Sequence, residues 1–151
     1  MKIKLATIYR PLNNIFLNPF MEFLRKKFIC ENQIKKGLNG VREAIEYIKN
    51  DFSIALMIDQ RVSEGDKINF FSKPALTTTL PAQLSTKYKL AIVPVFIERR
   101  IDNRFKIKFL QKIRPANFQN KKDLTIKLNE IIEKMIIENP NQWIWTHNRW
   151  K

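Results

Sequence analysis

A chain of 151 residues with 44% hydrophobic and 11% aromatic side chains is long enough for one domain with a real core, and its composition excludes disorder. A formal charge of +14 favours an anionic partner: an anionic membrane surface, nucleic acid or an acidic protein. One cysteine and one histidine exclude an internal disulfide and an ordinary zinc site, and no run approaches the roughly 18 apolar residues of a membrane-spanning helix.

In chain order, Ile3 to Tyr9 reads as a strand, and Arg10-Pro11 ends it because proline cannot donate to a ladder. The preceding MKIKLATIY is too short in apolar length for a signal peptide. Arg10 is either a guanidinium that grips phosphate or carboxylate, or a solvated arginine. Asn18-Pro19 opens a helix to about Phe28, with Phe20, Phe23, Leu24 and Phe28 at helical spacing and Arg25, Lys26 and Lys27 on its polar side. Such a basic amphipathic helix either packs on a sheet, which is the preferred reading, or touches a membrane. Glu31 to Asn39 is polar and reads as a connector. Gly40 leads a helix to about Asn50, with Val41, Ala44, Ile45 and Ile48 in one stripe.

Phe52 to Ile58 is a continuous apolar run of strand length, read as a strand covered on both faces. Asp59 and Gln60 stand just past its carboxyl end, where open α/β sheets place ligand groups. Arg61 to Asn69 is charged, contains Gly65 and reads as a mobile loop. Phe70-Phe71 lines an apolar groove or belongs to the core. Thr77, Thr78 and Thr79 precede Leu80-Pro81 at a helix start, where hydroxyls and free amides can hold an anion or simply cap the turn.

The helix Pro81 to Lys87 is followed by a second buried strand, Ala91 to Ile97, with Pro94 implying an edge or bulge. Asp102-Asn103 makes a tight turn into Arg104 to Phe109, a half-exposed strand with Phe105, Ile107 and Phe109 on one side. Lys122 to Asn139 is an amphipathic helix whose apolar face carries Leu124, Leu128, Ile131, Ile132 and Met135. Asn139-Pro140 starts a last helix that puts Trp143, His147 and Trp150 on one face, to close the core or meet a membrane interface.

The run FFSKPALTTTLPAQLS after a strand ending in Asp-Gln resembles the late acyltransferases of lipid A biosynthesis (the lauroyl/myristoyl transferases), within the lysophospholipid acyltransferase-like superfamily. The segments IYRPLNN at Ile8 to Asn14, GVREAI at Gly40 to Ile45 and the closing NPNQWIWTHNRWK agree in order and spacing, from about residue 6 to the end. The resemblance implies an α/β fold, a mixed sheet flanked by helices, with residues 1–151 forming one domain: the C-terminal portion of an acyltransferase domain. It implies transfer of a fatty acyl chain from an acyl carrier protein thioester to a hydroxyl of a lipid A precursor, without metal or cofactor, at the cytoplasmic face of the bacterial inner membrane. It marks Arg10, Asp59, Gln60, Thr77, Thr78 and Thr79 as substrate-binding groups.

The family's general base is a histidine in an HxxxxD/E motif upstream of the Tyr-Arg-Pro segment. Here that motif would fall before Met1; the only histidine is His147, and Lys151, four positions on, is not acidic. The expectation is therefore no catalytic residue in this chain, a truncated or split form, and a separate N-terminal half as partner. Ser72 stands where the family usually has glycine after the paired aromatics. The alternative reading is a small basic binding protein for anionic membrane or nucleic acid. Nucleic acid is not the expected partner, because the lysines are dispersed and no nucleic-acid motif is present.

Overall fold

The computed structural model describes residues 3–150. It divides into two compact units, Met1–Met57 and Ile58–Lys151, each an α/β assembly of small sheets and helices.

The first unit is built from two strand–helix–strand steps. Strand β1 (Leu5–Tyr9) leads to helix α1 (Leu17–Phe28), strand β2 (Asn32–Lys35), helix α2 (Leu38–Lys49) and strand β3 (Ser53–Ala55). The three strands form a parallel sheet in the order β2-β1-β3, with Ile8 opposite Ile34 and Ala6 opposite Ile54. Parallel neighbours need long crossovers, and the two helices supply them. The core is small: Ala6, Ile34 and Ala44 are fully buried, with Ile8, Tyr47, Phe52 and Ile54 packed around them.

Two expectations change here. The polar stretch Glu31 to Asn39 contains β2 and the start of α2; its strand is polar except for Ile34, which alone points fully inward. The apolar run Phe52 to Ile58 pairs over three residues only, as an edge strand with Ser53 exposed and Met57 74% exposed, so it is not covered on both faces.

Helix α2 meets β2 through Gly40, which is buried in its first turn. A Cβ built there would lie 1.9 Å from the Lys35 carbonyl oxygen and 3.3 Å from Ile34 Cγ2. Only glycine allows that approach.

Helix α1 turns a mixed face inward, with Asn18, Met21, Glu22, Leu24 and Arg25 half-buried. Glu22 accepts hydrogen bonds from the Tyr9 hydroxyl and the Asn18 amide, both at 2.7 Å, and pairs with Lys35 at 3.3 Å. The Arg25 guanidinium lies 5.1 Å from the centre of the Tyr9 ring. No residue of α1 is fully buried. Those contacts hold the Glu22 carboxyl down at about 2, the Tyr9 hydrogen bond first among them, while burial and Glu22 push the Tyr9 phenol up to about 12.

In the second unit, strands β4 (Asp66–Phe70) and β5 (Lys73–Thr77) form an antiparallel hairpin, followed by helix α3 (Leu80–Tyr88). A second hairpin, β6 (Val95–Arg99) and β7 (Phe105–Phe109), precedes helix α4 (Lys121–Glu138). The core joins Phe70, Ala75, Ile132 and Ile136 with Ile58, Phe71, Trp143 and Trp150. Burial of the Phe70 ring alone contributes about 2–3 kcal/mol. Helix α4 starts at Asn120, whose side chain accepts from the Lys122 and Asp123 amides, and buries Leu124, Leu128, Ile132 and Ile136.

Three further expectations are corrected in this unit. The charged stretch Arg61 to Asn69 is not all loop: from Asp66 it is β4, whose Ile68 and Phe70 point inward while Lys67 and Asn69 face out. The strand placed at Ala91 to Ile97 begins after Pro94 and alternates between exposed and half-buried residues, so it is not a buried strand. After Asn139 only one 3-10 turn forms, Pro140–Gln142, and the rest is irregular. Trp143 and Trp150 both reach Phe70, but His147 is exposed, so the three do not share a helical face.

The Gly40→Ala chain is expected to lose about 2–4 kcal/mol of stability, because backbone must move to admit the methyl group; urea unfolding measures it. Glu22→Gln is expected to cost about 1 kcal/mol at neutral pH. A carboxyl depressed in the folded state contributes stability above its ordinary value, lost as pH falls. Between 4.5 and about 2 the parent should therefore lose stability faster than Glu22→Gln; acid unfolding curves of the pair check it.

Candidate functional site

The β4–β5 hairpin turns through Phe71 and Ser72, which have φ of 50° and 60°. Positive φ at both positions is the conformation of a two-residue type I′ turn, which glycine adopts without strain. Ser72 occupies it at some cost. Two side chains hold the turn: Glu133 accepts the Phe71 amide at 2.8 Å, and the Trp150 indole donates to the Phe70 carbonyl at 3.0 Å.

Behind the hairpin lies Arg149, 0% exposed. Its guanidinium stacks 4.0 Å from the centre of the Phe70 ring. Nη2 donates to Asn129 Oδ1 at 2.8 Å and to Thr77 Oγ1 at 3.2 Å. Nε and Nη1 have no hydrogen-bond partner among the described residues. Burial lowers the guanidinium to about 10, opposed by the Asp59 and Glu133 carboxylates, so it remains a cation at neutral pH. Asn129 donates in turn to the Asn69 carbonyl at 3.0 Å and to Thr77 Oγ1 at 3.4 Å.

The Asp59-Gln60 bend is fixed on either side within this unit. Ile58 packs against the core, and the Arg61 amide donates to His147 Nε2 at 3.1 Å. Arg149 adds an attractive field on Asp59. Asp59 is half-buried and Gln60 exposed, so both carry polar groups toward solvent from a held backbone.

The three threonines divide. Thr77 is 3% exposed; its hydroxyl donates to the Ala75 carbonyl at 3.1 Å and receives Arg149 and Asn129. Thr78 Oγ1 accepts the Leu80 amide at 3.3 Å at the start of α3, and Thr79 Oγ1 accepts the Gln83 amide at 2.8 Å. Thr78 and Thr79 are half-buried at the entry to the helix. Arg10 belongs to the first unit, exposed immediately after β1.

A family model for bacterial lipid A biosynthesis acyltransferases matches residues 1–151, the whole sequence. The chain belongs to that family. A comparison with curated proteins finds no match. The substrates of these acyltransferases are an acyl donor and a lipid A-type acceptor, and the family is membrane-associated in bacteria. No helix among the described residues of this acyltransferase is long and apolar enough to cross a membrane, and no group of three or more potential metal ligands occurs among them.

Sequence reasoning missed the cluster of Arg149, Asn129 and Glu133 that lies behind the β4–β5 hairpin. One signal was present. Asn129 interrupts the apolar stripe of α4 between Leu124 and Leu128 on one side and Ile132 on the other. An amide on a buried helix face demands a polar partner, and Arg149 and Thr77 are those partners. The partnership itself spans 72 residues of sequence from Thr77 to Arg149, beyond any local pattern.

Arg149→Ala is expected to destabilise the chain by about 2–4 kcal/mol, by removing a buried cation and leaving Asn129 and Thr77 short of a donor. Arg149→Lys should recover little, since an ammonium can neither lie flat on Phe70 nor fork to two acceptors. Urea midpoints within about 0.5 kcal/mol of the parent for both variants would show that the guanidinium holds nothing together.

Proposed function

We propose that this chain supplies the binding and positioning surface of an enzyme that moves a fatty acyl group from an acyl carrier protein thioester to a lipid A precursor. In that reaction the acceptor hydroxyl oxygen forms the new ester bond, the carbon–sulfur bond breaks, and the hydroxyl proton passes to a base while the thiol leaves. The observation that carries the reading is the family match over residues 1–151. The held Asp59-Gln60 bend lends it support, because positioning groups must sit on a fixed backbone.

Arg10 offers an exposed guanidinium to a phosphate or carboxylate of either substrate. Asp59 and Gln60 orient polar groups of the acceptor, and Thr78 and Thr79 serve the same surface at the entry to α3. Thr77 is not part of that surface: it is 3% exposed and its hydroxyl is engaged inside the fold by Ala75, Asn129 and Arg149. The two units together constitute one C-terminal portion of an acyltransferase domain, acting peripherally at the cytoplasmic face of the inner membrane.

The general base comes from an HxxxxD/E segment outside this sequence. His147 is a poor candidate for that role: its Nε2 accepts the Arg61 amide at 3.1 Å, which leaves the proton on Nδ1 and no free lone pair for an alcohol.

The purified chain is expected to show no transfer from an acyl carrier thioester to a lysolipid A precursor. Co-expression with a polypeptide carrying the HxxxxD/E segment should yield transfer, and Arg10→Ala or Asp59→Asn should lower its kcat/KM about 10–100-fold. Turnover by the chain alone would relocate the base; unchanged kcat/KM in both variants would remove Arg10 and Asp59 from the binding surface.

A further inference from the structure

Helix α1 turns its aromatic residues away from the protein. Phe16, Phe20 and Phe23, at helical spacing i, i+4 and i+7, are 86%, 57% and 56% exposed, and Phe28 is 71% exposed. In a helix that merely packs on a sheet, these would be the buried residues. Here the inward side is mixed: Met21 and Leu24 are half-buried beside Asn18, Glu22 and Arg25, and the polar contacts of Glu22 and Arg25 with Tyr9, Asn18 and Lys35 fix it. Rolling the helix to hide the aromatics would break those contacts and carry Lys27 inward.

We propose that this outward face of α1 is a docking surface for an anionic lipid bilayer. Lysines lie on it and beside it: Lys27 shares the row of Phe20 and Phe23, Lys26 flanks it, both are exposed, and the Lys27 ammonium lies 5.6 Å from the Phe23 ring centre and 5.3 Å from that of Phe28. Aromatic rings with lysines alongside suit the boundary between acyl chains and headgroups, where stems bury and ammonium groups reach phosphate. Charge also decides against a second copy as occupant. The only acid of the helix, Glu22, is turned inward and engaged, so two such faces would meet lysine to lysine. The inference rests on the peripheral placement proposed above and names the surface that makes it; the variants test that surface without reading acyl transfer.

The full chain is expected to co-sediment with vesicles of phosphatidylcholine and phosphatidylglycerol in equal parts, weakly with phosphatidylcholine alone, and less in high salt. Phe20→Ser with Phe23→Ser should weaken binding about tenfold or more, as should Lys26→Glu with Lys27→Glu for the anionic vesicles only. Because the replaced side chains are exposed, thermal unfolding should be nearly unchanged, and Phe20→Leu with Phe23→Leu should retain most binding. No sedimentation of the parent, or equal sedimentation of parent and serine variant, overturns the proposal. So does self-association without lipid that the serine variant abolishes while vesicle binding persists; that outcome assigns the face to a second copy.

Discussion

A buried cation governs the second unit. A guanidinium out of water carries an effective penalty of several kcal/mol, offset only by well-placed partners. Arg149 finds them on three separate pieces of chain: the ring of Phe70 in β4, the hydroxyl of Thr77 in β5 and the amide of Asn129 in α4. Each partner is constrained in return. Asn129 must face inward on a helix whose buried side is otherwise apolar, and Thr77 must present its hydroxyl to the interior rather than to a ligand. Slipping β5 by one residue would turn Thr77 outward and strand the charge. The cluster thus registers the hairpin, α4 and the C-terminal segment against one another more than it adds net stability.

That constraint accounts for the irregular C-terminal segment. A continuous helix after Asn139 would place Trp143, His147 and Trp150 together. Instead the chain takes one 3-10 turn and then lets Trp143 and Trp150 pack on Phe70 while Arg149 passes beneath the ring. The same path brings His147 to the Arg61 amide. The Asp59-Gln60 bend is therefore held by the same C-terminal segment that completes the core. The first unit uses the opposite device. Its core is Ile34 with two alanines, and the position of α1 is set by a polar network around Glu22 together with half-buried Met21 and Leu24.

Elements with a strong period were legible in the sequence. Helix α4 shows its apolar stripe, α2 its stripe, and β1 ends where Arg10-Pro11 ends it. What failed did so for physical reasons. Strand β2 is polar because only Ile34 meets the core, so no run of apolar residues announces it. Strand β4 carries charge at Asp66 and Lys67 because one side of the hairpin is solvated. The run Phe52 to Ile58 looks buried, yet its middle residues sit on a sheet edge. Helix α1 misled most. Its periodicity was correct, but periodicity does not say which side faces in. Of the candidate site, the threonines could be placed from the start of α3, but Asp59 does not stand just past a strand end, because β3 stops at Ala55; Arg149 could not be read, because its meaning depends on partners 20 and 72 residues away.

The charge of the chain follows from the same separation of roles. With 28 lysines and arginines against 14 acids, at least half the cations have no acid to pair with, whatever the geometry. The acids are moreover spent locally: Glu22 on Tyr9 and Asn18, Glu133 on the Phe71 amide, Glu98 and Glu138 on Lys108. These contacts satisfy donors inside the fold and leave the outward field positive. A field of that kind is felt over roughly a Debye length of about 8 Å at physiological salt, too short to select a substrate but sufficient to draw anionic partners to the surface. Selection must then come from groups with fixed geometry. In the second unit groups of that kind stand at the Asp59-Gln60 bend and the entry to α3, where the backbone is tied down by His147, Ile58 and the Thr78 hydroxyl. On the function proposed for this chain, dispersed charge brings the partner near and the held polar groups are the ones placed to decide what stays.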